Sequence, residues 1–201
     1  MKTLQRNKLR YQTRRVRWVF NWALLAACFL YVLVGCGAGA PSPDKPVRVE
    51  QRGDSITHQA GQMLADYLPT GSEVINMGVD GSMARDIGTP AFRADTVHTF
   101  SYGVNECIGA VSPESYRATL NHILTAGRGY LIVLEAPWRV VDPRCNPAID
   151  LYRAVVVELG KLYGVPVVIE DDQTHIGEGI HLTESHMRVR AQLLAAAILK
   201  L

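Results

Sequence analysis

Tyr130-Leu131-Ile132-Val133-Leu134 is an unbroken apolar run. A short run of this kind reads as a strand buried on both faces, and such strands belong to parallel sheets covered by helices on each side. Four further strand candidates fit around it: Val47 to Arg52, Glu73 to Asn76, Ala94 to Tyr102 and Val165 to Ile169. Between them the apolar period changes to that of a helix. Ala60, Met63, Leu64, Tyr67 and Leu68 form the first such stripe, and Tyr116, Leu120, Ile123 and Leu124 follow Pro113. Pro147 to Tyr163 turns Tyr152, Val155, Val156, Leu159 and Leu162 to one side, and Met187, Ala191, Leu194, Ile198 and Leu201 end the chain. Strands and helices alternating at this spacing predict an α/β, three-layer sandwich with a five-stranded parallel sheet.

The 201 residues suffice for one domain with a full core. Their formal charge of +2 misleads, because the charge is segregated. Residues 1–35 carry seven Lys or Arg and no acid, so the remainder holds 14 basic against 19 acidic residues. A mildly acidic domain argues against a nucleic-acid surface. The basic segment leads into an apolar run from Trp18 to Val34, broken only by Asn21, and then Leu33-Val34-Gly35-Cys36 resembles a lipobox, the signal peptidase II site before a lipidated cysteine. Residues 1–35 are therefore expected to be a lipoprotein-type export signal, 36–46 a flexible tether (GAGAPSPDKP after Cys36) and 47–201 the domain. An uncleaved signal anchor is the alternative. Either arrangement puts the domain outside the cytoplasm, in a bacterial envelope and held at a membrane. With Cys28 in the apolar run and Cys36 the lipidation candidate, Cys107 and Cys145 remain as a disulfide candidate in an oxidising compartment, or as two buried thiols.

In a parallel α/β sheet the crevice beyond the carboxyl ends of the strands is where ligands bind. The glycine-marked turns Gly53 to Ser55, Gly78 to Ser82 and Gly103 to Asn105 all fall at that edge, and the loop from Thr174 to Thr183 should reach it. Ser55 lies where Val47 to Arg52 gives way to a helical pattern. A serine there is surrounded by helix-start amides, which suits a nucleophile because the same amides can hold the oxyanion it generates. The plainer reading is that Asp54 or Ser55 simply caps the helix.

Four blocks in order resemble the SGNH (GDSL-type) hydrolases over most of residues 47–201. They are Gly53-Asp54-Ser55-Ile56-Thr57, Asn76-Met77-Gly78-Val79-Asp80-Gly81-Ser82, Gly103-Val104-Asn105-Glu106 and Glu178-Gly179-Ile180-His181-Leu182. The resemblance implies a flavodoxin-like SGNH fold and a serine hydrolase or esterase working through an acyl-enzyme. It makes Ser55 the nucleophile and His181 the base, with the amides of Ser55 and Gly81 and the side chain of Asn105 as the oxyanion hole. Glu178 and Glu106 stand where the family usually has aspartate. Glu178 is the expected partner of His181, with Asp171, Asp172 or a backbone carbonyl as alternatives.

The other histidines read as structural: His58, His98 and His122 lack partners at a useful spacing, and His175 and His186 flank the last block. No cluster has zinc-ligand spacing, so neither metal nor cofactor is expected. Trp138 and Arg139, after the fourth strand, either contact substrate or cover the core. The expected partners are a small ester or an acylated envelope glycan or lipid, and the membrane through the lipid anchor. An acyltransferase, or a non-catalytic envelope-binding lipoprotein that keeps the fold, are the rival readings.

Overall fold

The computed structural model describes residues 45–146, 148–170 and 179–201. The export signal, Cys36, Asp171, Asp172, His175 and Glu178 lie outside the described residues. Five parallel strands form one sheet: β1 (Arg48–Gly53), β2 (Glu73–Gly78), β3 (Val97–Ser101), β4 (Leu131–Glu135) and β5 (Val167–Val168), in the order β2-β1-β3-β4-β5. The order reverses at β1, which has β2 on one side and β3 on the other; beyond the carboxyl end of such a strand is where open α/β sheets bind ligands. Gly53 is level with Gly78 and with Ser101, and Ser101 with Glu135, so the three glycine-marked turns leave the sheet at one edge.

Alternate residues of each strand face opposite layers. On one face Phe100, Ile132 and Leu134 pack with Tyr116, Leu120, Ile123 and Leu124 of α3 (Pro113–Ala126), and with Tyr152, Val155, Val156 and Leu159 of α4 (Ile149–Tyr163). On the other, Val49, Val74, Val97, Val133 and Val168 meet Leu64 and, from α5 (Glu184–Ile198), Leu194, Ala195 and Ile198. This is the expected three-layer sandwich.

Three elements differ from the sequence reading. The first helical stripe is broken in two: α1 (Ser55–Ala60) stops at Gly61, whose φ of +52° is left-handed backbone, and a 3-10 helix, Met63–Tyr67, continues the apolar stripe. The block Gly103 to Glu106 opens a short helix, α2 (Val104–Ile108). The fifth strand keeps two of its five expected residues, Val167–Val168, paired with the end of β4.

Candidate active site

The turn bearing Ser55 is built from close approaches. A Cβ on Gly53 would lie 2.0 Å from Thr57 Oγ1 and 2.7 Å from the Ser101 carbonyl, and one on Gly78 would lie 2.3 Å from the His58 amide nitrogen. Both positions must be glycine for α1 to sit down on the ends of β1 and β2. Asp54 is the N-cap of α1; its Oδ1 accepts from the Ile56 amide at 2.9 Å. Ser55 is the first helical residue, 7% exposed. The capping task thus falls to Asp54, and the Ser55 hydroxyl makes no hydrogen bond within the described residues.

The second and third blocks close around this turn. The Val79 amide and the Ser82 hydroxyl both donate to the Gly53 carbonyl, at 3.0 and 3.1 Å. Asn105 Nδ2 donates to the Ser82 carbonyl at 3.0 Å. That bond uses one of the two amide hydrogens and leaves the second for another acceptor. Gly81 has φ +73°, and a Cβ there would meet nothing within 4 Å. Glycine is therefore favoured by the backbone conformation, and a side chain there would meet no neighbour. Behind this rim, buried Glu106 accepts from the Gly103 amide at 2.9 Å and from the Ala84 amide at 2.6 Å. Its carboxylate thereby staples two loops together.

The fourth block is reached at Gly179, whose carbonyl accepts from the Val141 amide at 3.0 Å, linking it to the loop after β4. His181 is half-buried two residues before Thr183, the N-cap of α5. No hydrogen bond joins His181 to Ser55 among the described residues.

Burial pushes the Asp54 carboxyl up to about 7, with Glu106 adding to the rise, while the Ile56 amide and the Arg190 charge oppose it. Glu106 is likewise raised by burial, against the amides of Ala84 and Gly103. Glu135, at the end of β4, is raised by burial and held back by Arg190 of α5, which meets it at 2.7 Å. Sequence reasoning missed this pair, since its members stand 55 positions apart and Arg190 lies inside an apolar stripe.

Each histidine read as structural that is described has a partner. His58 Nδ1 pairs with Asp80 Oδ1 at 2.8 Å, His98 Nε2 accepts from the Arg93 amide at 3.1 Å, and His122 Nε2 meets Thr89 Oγ1 at 2.9 Å. His186 is buried with its ring 5.9 Å from that of Trp138. Trp138 is 4% exposed and covers the core, and Arg139 pairs with Asp150 at 2.7 Å. Among the described residues no three His, Cys, Asp or Glu side chains converge as metal ligands would.

No protein-family model matches the sequence, and no curated protein does. Solved structures do match. A lipase/acylhydrolase from Enterococcus faecalis superposes with a TM-score of 0.64 at 17% identity, over 76% of this chain and 95% of that one. A member of the lipolytic G-D-S-L family from Veillonella parvula gives 0.60 at 14%, over 75% and 96%. The fold is that of the SGNH hydrolases. The turns bearing Ser55 and Asn105 are joined through Ser82 by the contacts above, and identities this low carry the architecture alone.

Proposed function

We propose that this protein is a serine hydrolase that cleaves carboxylic esters through an acyl-enzyme. One observation carries the reading: Ser82, next to Gly81, ties the turn bearing Ser55 to the half-committed Asn105 side chain at the carboxyl edge of the sheet. Neutral N–H donors of this kind, if aimed at one point, suit an oxyanion better than a resting charge. Ser55 Oγ attacks the ester carbonyl as His181 takes its proton. The tetrahedral oxyanion is held by the amides of Ser55 and Gly81 and by Asn105 Nδ2. The intermediate collapses, the alcohol leaves with the proton from His181, and water repeats the cycle to free the acid. Glu178 is the group assigned to orient His181. An alcohol in place of water would make the same site an acyltransferase.

The decisive experiment is fluorophosphonate labelling of the full chain. Wild type is expected to label at Ser55, and Ser55→Ala to lose both labelling and ester turnover while keeping its Tm within about 2 °C. Absence of labelling in wild type leaves the non-catalytic envelope lipoprotein as the reading. The substrate class that fits is an acylated envelope glycan or a lipid ester, because the N-terminal segment is read as export and lipid attachment at Cys36. Intact mass of membrane-extracted protein tests that part: a diacylglyceryl group on a new N-terminal Cys36 is expected, and an unmodified chain beginning at Met1 overturns it.

A further inference from the structure

Arg190 and Glu135 form an ion pair inside the domain, each 1% exposed. Nε of Arg190 lies 2.7 Å from Glu135 Oε2, and its Nη2 donates to Glu135 Oε1 at 2.7 Å. The same Nη2 reaches Thr57 Oγ1 at 3.2 Å. Thr57 is fully buried in α1, two residues after Ser55, and its Oγ1 occupies the space that only a glycine at position 53 leaves open. Arg190 belongs to α5, the helix entered directly after His181. Three elements therefore meet at one guanidinium: the helix bearing Ser55, the end of β4 and the helix that follows His181.

A buried ion pair is no more stabilising than an apolar pair of the same volume, so stability alone does not account for this one. What it adds is direction. The guanidinium fork is planar and accepts partners only along fixed lines, which apolar packing does not enforce.

We propose that Arg190, oriented by Glu135, is a positioning residue that sets α1 and Ser55 at a fixed place relative to the His181-bearing entry of α5. The proposal rests on the hydrolase reading above. Neither side chain touches the reacting atoms; both act through Thr57 and α5. A misplacement of about 1 Å between nucleophile and base costs on the order of 100-fold in rate.

The test uses the full chain in detergent, with p-nitrophenyl acetate as the probe. The double variant Arg190→Met with Glu135→Leu removes both charges together, which avoids stranding either one. It is expected to hold its Tm within a few degrees, to lose roughly 100-fold in kcat and to keep KM within twofold. Arg190→Lys, which keeps the charge without the fork, should not restore the rate. A kcat within threefold of wild type, or a loss that falls on KM, overturns the proposal. Should the double variant fail to fold, Thr57→Val decides: it removes only the hydroxyl at the end of the chain of contacts. A fall in kcat of at least about tenfold at unchanged Tm supports the positioning role, and an unchanged kcat overturns it. If wild type itself neither labels nor turns over ester, the hydrolase reading falls and this role with it; an active wild type with unaffected variants overturns the positioning role alone.

Discussion

Asp54 answers to two opposing demands. It caps α1 through the Ile56 amide, a task that favours the charged carboxylate, and it is buried beside Glu106, which favours the neutral acid. Burial wins, and the pKa rises to about 7 from an ordinary 3.8. A carboxyl raised on folding contributes stability that is complete below its unfolded pKa and is lost as pH climbs through the folded value. The stability of the wild type should therefore fall between about pH 4 and pH 7, at no more than about 1.4 kcal/mol per pH unit from this group. Asp54→Asn keeps an N-cap acceptor and cannot ionise. Thermal melts from pH 4 to 8 should show a flatter profile for Asp54→Asn than for wild type. Glu106 and Glu135, raised in the same direction, remain in both proteins, so the difference between the two curves belongs to Asp54. Parallel curves would contradict the assignment.

A helix of six residues does not stand in water by its own propensity, and α1 is held by what surrounds it. Besides the Asp54 cap and the Arg190 contact to Thr57, Asn76 at the end of β2 closes its far side. Asn76 Nδ2 is within 2.8 Å of the Thr57 carbonyl and 3.2 Å of the Gly61 carbonyl, while its Oδ1 accepts from the Gly78 amide at 2.9 Å. Asn76→Ala strands these groups, at roughly 1–3 kcal/mol. Both Tm and kcat are expected to drop, as read by a melt and a rate measured on one preparation; a full rate with lowered stability would mean that α1 does not need this latch. Elements of this kind also mark how far the sequence could be read. The strand β4 was legible because it is almost wholly apolar, the others because short β-type runs end at glycine-marked turns, and the topology sends those turns to one edge. The break at Gly61 was hidden, since the apolar stripe runs on through the 3-10 helix in nearly the same period. Arg190 was hidden for another reason: it occupies an inward position of α5 between His186 and Leu194, where periodicity predicts an apolar residue and only a distant partner, Glu135, makes a charge tolerable.

For the whole molecule, the bond between Cys107 and Cys145 ties the segment bearing Asn105 to the loop after β4. The strands β3 and β4 are neighbours, so α2 and the loop before α4 start from adjacent points of the edge. There the two cysteines are joined with Cα atoms 5.2 Å apart, within the span a disulfide requires. The bond settles the alternatives left by cysteine counting in favour of the pair, and such bonds persist in oxidising compartments, where the expected export signal would deliver the domain. It closes a loop of 38 residues' separation, worth about 4 kcal/mol in the chain-entropy model. Asn105 lies two residues from Cys107 in the same short helix, so the cross-link also restrains the side chain assigned to the oxyanion. The double variant Cys107→Ser with Cys145→Ser should therefore lose up to about 4 kcal/mol, or on the order of 10 °C in Tm. Its kcat should already be reduced at temperatures where circular dichroism shows it fully folded. A variant that is folded and fully active at those temperatures would separate the cross-link from the site. Alkylating the denatured, unreduced wild type should leave both cysteines unmodified, and a labelled Cys107 or Cys145 would show that the bond does not form in the cell.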